Sequence, residues 1–159
     1  EKTVAPYSDY VSLNIGDLLD FKWYGTPIEI CFIDVCKTGK LNQHVSKEFY
    51  PSLIPGESTL INQDFFFDRL PWIKVTMGYL SEYFKWEGQV HTSSIYASIK
   101  EVPQNVACYD PYTEGKLEEC LAYHYNQPKE FLEPKYHYIM GNSKAYLMSL
   151  KNNKDVALY

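Results

Sequence analysis

The chain has 159 residues, a formal net charge of −5, 45% hydrophobic and 16% aromatic residues, a composition that excludes a disordered polypeptide and fits one compact unit. Twenty acidic against fifteen basic residues, with no Lys/Arg-rich run, exclude nonspecific nucleic-acid binding, because phosphate neutralisation needs a concentrated basic surface. Apolar runs such as residues 30–33 fall far short of the roughly 20 residues that span a bilayer, so a chain with no membrane partner is expected.

Residues 10–15 place Val11, Leu13 and Ile15 between polar neighbours; this alternation predicts a strand that exits at Gly16-Asp17. A turn at Gly25-Thr26-Pro27 precedes residues 28–33, Ile-Glu-Ile-Cys-Phe-Ile, a nearly all-apolar, β-branched run that predicts a strand buried on both faces. After the Lys37-Thr38-Gly39-Lys40 loop, the spacing of Val45, Phe49 and Leu53 predicts a helix capped by Asn42 and distorted by Pro51. Pro55-Gly56 stops it, and Ser58-Thr59-Leu60-Ile61 predicts a second strand. Strand, helix, strand in this order predicts a parallel pair joined by a right-handed crossover.

Pro71 suits a first helical position, and Ile73, Met77, Leu80 and Phe84 fall on one face of the helix it opens. Residues 83–86, a turn at Glu87-Gly88 and an alternating run over residues 92–102 predict an antiparallel hairpin that closes the sheet. From Asp110 onward the pattern is helical, with Thr113 and Ser143 as expected caps. The division expected is residues 1–103 as an α/β unit and residues 104–159 as a helical extension.

Cys31, Cys36, Cys108 and Cys120 form no CxxC pair, and His44, His91, His124 and His137 are scattered. Unpaired structural thiols in a reducing cytoplasmic compartment are therefore expected, rather than a zinc site. No G-x-S-x-G elbow supports a serine hydrolase.

The chemical signal lies after the two parallel strands, in Asp34-Val35-Cys36-Lys37 and Asn62-Gln63-Asp64. Ligands of open α/β sheets bind outside the carboxyl ends of parallel strands, so Asp34, Lys37, Gln63 and Asp64 should converge on one crevice. An acid after a strand also serves as a turn or helix cap, and that reading of Asp34 and Asp64 stays open beside the catalytic one. Lys37 reads equally as a solvated loop lysine.

Gly16-Asp17, residues 28–37, Phe49-Tyr50-Pro51-Ser52-Leu53-Ile54-Pro55-Gly56, Gln63-Asp64 and Leu70-Pro71-Trp72-Ile73, followed by the hairpin, together resemble the C-terminal part of a class I S-adenosylmethionine-dependent methyltransferase. The likeness is to bacterial methyltransferase-like proteins and, more distantly, to catechol O-methyltransferase, and it covers roughly residues 11–103. It implies a Rossmann-like α/β sheet represented mostly by its C-terminal half, S-adenosylmethionine as cofactor, and a small-molecule or glycan hydroxyl as methyl acceptor. Carried over by position, Asp17 would approach the adenine amine of the cofactor, Asp34 would be a metal ligand, and Lys37 would be the base for the acceptor hydroxyl. Gln63 and Asp64 would match the family's Asp-Asn pair at a divalent cation such as Mg²⁺. Gln63 trades a carboxylate for a neutral amide there, which lowers the charge available to a hard cation.

No glycine-rich cofactor loop precedes Val11, so the resemblance implies a fragment that lacks the cofactor-gripping half, with Glu1 read as a cut edge. The alternative expectation is a noncatalytic interaction module. In that reading an unpaired sheet edge and the tail tyrosines Tyr123, Tyr125, Tyr136, Tyr138 and Tyr146 join a homo-oligomer or a missing N-terminal segment.

Overall fold

A computed structural model describes residues 5–126 and 132–152. Its strands are β1 (Ile30–Ile33), β2 (Thr59–Asn62), β3 (Phe84–Val90) and β4 (Ser93–Ser98), and its helices are α1 (Gly39–Phe49), α2 (Pro71–Tyr79), α3 (Gln104–Cys108), α4 (Leu117–Tyr125) and α5 (Pro134–Asn152). The strands form one mixed sheet in the order β1-β2-β4-β3. β1 and β2 run parallel, with Cys31 opposite Leu60 and Ile33 opposite Asn62. β4 returns antiparallel between β2 and β3. The protein is thus an α/β fold whose parallel pair leads into an antiparallel hairpin.

The register places Cys31, Ile33, Leu60, Tyr96 and Phe84 in one buried layer. Val45 of α1, Ile73 and Met77 of α2, Ala107 of α3 and Tyr136 of α5 join these residues in a single apolar cluster. Residues 104–152 therefore contribute to the same core as the sheet. The opposite face of β1 is bare: Ile30 is 70% and Phe32 59% exposed. This departs from the doubly buried strand that the apolar run predicts, because the described helices cover only one side of the sheet.

Local chemistry explains where each element starts. Thr38 Oγ1 accepts from the Leu41 amide and caps α1, whereas Asn42, the predicted cap, is buried inside the helix and donates through Nδ2 to Thr76 Oγ1 of α2 at 2.8 Å. α2 opens at Pro71, as predicted. The predicted turn at Glu87-Gly88 lies within β3 as a register irregularity between Trp86 and Gly88, and the chain reverses instead at His91, whose φ is 51°. Glycine tolerates a bulge, so its presence in a strand does not require a turn.

Residues 10–15 pair with no strand among the described residues, and Ile15 is 90% exposed. Alternation selects a strand only when a neighbouring strand satisfies its backbone, and no described segment does so here. Thr113 lies in the turn that precedes α4, where Asp110 Oδ1 accepts from the Tyr112 and Thr113 amides. Ser143 is buried within α5 rather than capping a helix. No described helix is long and apolar enough to cross a membrane.

Candidate functional site at the parallel strand ends

β1 ends at Ile33 and β2 at Asn62, so the loops that follow leave the same edge of the sheet side by side. The Gln63 amide donates to the Ile33 carbonyl at 2.9 Å and ties the second loop to the end of the first strand. Asp64 follows with a φ of 60°, a left-handed conformation that is uncommon for a residue with a side chain. It turns the Asp64 carboxylate back toward the first loop. Lys37 Nζ donates to Asp34 Oδ1 at 3.0 Å and to Asp64 Oδ2.

Asp34, Lys37 and Asp64 thus form one ion-paired cluster, carrying two carboxylates and one ammonium. The side chains of Lys37 and Asp34 are about half exposed and that of Asp64 is more enclosed. The hydrogen bond that Lys37 donates to Asp64, reinforced by the one to Asp34, pushes the Lys37 pKa above the ordinary lysine value. At neutral pH Lys37 is therefore a cation and a hydrogen-bond donor, and it takes up a proton only after losing one.

Beside this cluster an open groove of about 230 Å³ runs along β1, lined by Leu18, Phe32, Asp34, Val35 and Phe49. Asp17 lies elsewhere. Its Oδ1 accepts from the Leu19 amide at 2.9 Å and caps a 3-10 turn over Leu18–Asp20. It lines a second open cavity of about 400 Å³ together with Asn14, Gly16, Asp20 and Phe21. The structure therefore brings Asp34, Lys37 and Asp64 together, brings Gln63 in through its backbone, and places Asp17 in a neighbouring cavity. Leu18, next to Asp17 in the chain, lines the groove that Asp34 also lines.

The donor set does not fit a divalent cation as it stands. Mg²⁺ requires close octahedral oxygen coordination, and here the Lys37 ammonium already sits between the two carboxylates. Among the described residues no group of three or more His, Cys, Asp or Glu side chains converges to hold a metal ion. The exposed Asp17 carboxylate presents a hydrogen-bond acceptor at the second cavity.

Two anchors of this site are absent from the sequence-based expectations. Trp72 Nε1 donates to the Cys36 carbonyl at 2.8 Å, and Lys74 Nζ donates to the Phe67 carbonyl at 2.9 Å and the Leu70 carbonyl at 3.2 Å. The available signal for Lys74 is its setting, a single cation within Trp72-Ile73-Lys74-Val75. Every residue of α2 from Pro71 to Gly78 is buried.

No protein-family model, no curated protein and no solved structure matches this chain.

Proposed function

We propose that this chain carries the catalytic strand ends of an S-adenosylmethionine-dependent methyltransferase that acts on a hydroxyl group of a sugar or another small metabolite. The observation that carries the reading is the Lys37 ammonium held between Asp34 and Asp64, at the carboxyl ends of two adjacent parallel strands. The antiparallel hairpin after the parallel pair is the arrangement the sequence resemblance implies and adds support.

When bound, the cofactor supplies the electrophilic methyl group, which leaves the protein the tasks of alignment and proton removal. Asp64, the stronger of the two partners of Lys37, fixes the ammonium. Lys37 donates a hydrogen bond to the acceptor oxygen and stabilises the negative charge that grows there. Asp34, the more exposed carboxylate, receives the hydroxyl proton. Asp17 would hold the amine of the adenine. No step is assigned to a metal.

Calorimetric titration of the parent protein with S-adenosylhomocysteine tests this function, and residues 1–159 alone are expected to bind weakly or not at all. Binding by the parent protein that weakens about tenfold in Asp17→Ala, a loss of about 1.4 kcal/mol, is the expected result. Absence of binding by the parent protein at millimolar ligand contradicts the reading.

A noncatalytic docking module is the second reading, and the observation that favours it is the exposed Ile30 and Phe32 on β1, a strand whose only described ladder partner is β2. Unpaired strand edges recruit further strands. Light scattering over a dilution series separates the two: a mass that rises with concentration favours docking, and a constant monomer mass opposes it.

A further inference from the structure

α2 reaches back to both strand-end loops. Trp72 holds the first through the Cys36 carbonyl, one residue before Lys37. Lys74 holds the second. The carbonyls it binds, those of Phe67 and Leu70, belong to the two successive turns that lead from Asp64 into α2. In those turns the Phe67 amide donates to the Asp64 carbonyl at 2.9 Å and the Leu70 amide to the Phe67 carbonyl at 3.2 Å.

Lys74 is fully enclosed, with 0% of its surface exposed, and its Nζ lies 5.4 Å from the centroid of the Phe65 ring. Burial of a lysine is costly, so if this position only needed filling, a methionine of similar length would fill it without that cost. What the lysine adds is a set of donors. Asp64 in turn occupies a backbone conformation that persists only where its surroundings enforce it.

We propose that Lys74 is a positioning residue for the strand-end site: by clamping the Phe67 and Leu70 carbonyls, it holds the Asp64 loop so that the Asp64 carboxylate meets Lys37. The meaning of this role rests on the methyltransferase reading, but the geometry and the test involve neither cofactor nor methyl transfer. A failure here and a failure of that reading are therefore distinguishable. Without the clamp, the two carbonyls lose their donor, Asp64 relaxes from its left-handed conformation, and the ammonium of Lys37 loses its stronger partner.

NMR titration of the Lys37 side chain in the full chain reads this directly. The wild-type midpoint should lie above the ordinary lysine value, Asp64→Asn should lower it, and Lys74→Met should lower it by at least half as much as Asp64→Asn. Gly141→Ala, a change in α5 where an added Cβ meets nothing within 4 Å, should leave the midpoint where it is. A folded Lys74→Met protein with an unchanged Lys37 midpoint overturns the proposal. If Lys74→Met does not fold, amide hydrogen exchange of the wild type decides. Phe67 and Leu70 amides as protected as the interior of α2 support the clamp, and free exchange at both while α2 stays protected overturns it.

Discussion

Gly78→Ala is the sharpest test of how the C-terminal helices join the sheet layer. A Cβ on Gly78 would lie 1.8 Å from the Tyr123 carbonyl oxygen, 2.5 Å from its carbonyl carbon and 2.9 Å from its Cα. An ordinary carbon–oxygen contact is about 3.3 Å, so α2 and α4 would have to separate by roughly 1.5 Å. The atoms in the way are backbone, and no rotamer change relieves them. Separation would also strain the bonds from Asn126 Nδ2 to the Gly78 carbonyl and to Ser81 Oγ, and would loosen the Val75, Cys120 and Leu147 cluster. Overpacking costs about 1–3 kcal/mol, and a rigid backbone neighbour favours the upper end, whereas alanine's better helix propensity returns about 1 kcal/mol. With the strained bonds and loosened cluster added, a net loss of about 3 kcal/mol is expected, read as a lowered urea midpoint and a Tm drop of about 10 °C. Gly141→Ala provides the opposite sign: this helical glycine in α5 has nothing within 4 Å of an added Cβ, and the substitution should stabilise by up to about 1 kcal/mol. A Gly78→Ala protein as stable as the wild type would refute the close α2–α4 contact.

Further outcomes follow from buried groups. Burial pushes Lys74 down to about 7, with the Asp68 carboxylate pulling the other way, so between about pH 7 and 10.5 the unfolded chain binds a proton that the folded chain does not. Stability in this window rises with pH, by about 1.5 kcal/mol from pH 7 to 8.5. Denaturant titrations should show this rise in the wild type and lose it in Lys74→Met; an equal pH slope in both proteins would refute the assignment. His124 is held down to about 3 by burial and by the neighbouring Lys74 and Lys144 cations, so its contribution is lost as pH falls below the ordinary histidine value of about 6.5. Wild-type stability should drop between pH 6.5 and 4 more steeply than that of His124→Gln. Asn42→Ala removes the donor of a buried bond to Thr76 Oγ1 and should cost about 1–3 kcal/mol by denaturant titration. Cys31 and Cys36 are buried, and burial pushes their thiols up to about 11 and about 12. The exposed Cys108 should therefore be the first thiol that an aromatic disulfide reagent modifies in the native protein.

The parallel pair was legible because Ile28, Ile30 and Ile33, and later Thr59, Leu60 and Ile61, concentrate β-branched and apolar side chains between turn residues. α2 was legible from Pro71 and the Ile73, Met77, Leu80, Phe84 spacing, although the helix ends at Tyr79 and Phe84 begins β3. The parallel order pointed to Asp34, Lys37, Gln63 and Asp64 at one place; the side chains of Asp34, Lys37 and Asp64 do meet there, whereas Gln63 joins through its backbone amide. Other features depend on partners distant in the chain. Asn42 has the chemistry of a cap, yet it lies inside α1 because Thr76 offers its hydroxyl across the helix interface. Lys74 is a single cation in an apolar stretch, and its burial makes sense only once the Phe67 and Leu70 carbonyls face it. Exposure of Ile30 and Phe32 was hidden for a similar reason: an apolar strand gives no sign of which of its faces a helix covers.

Chemical-shift mapping of the parent protein with S-adenosylhomocysteine tests the proposed function most directly. Residue by residue, it asks whether the cofactor product meets both the Asp17 cavity and the strand ends. The predicted result is a saturable set of shifts at Gly16 and Asp17 and at the loops that carry Asp34, Lys37 and Asp64. No shift at any of these positions at millimolar ligand, or shifts confined to residues 104–152, would contradict it.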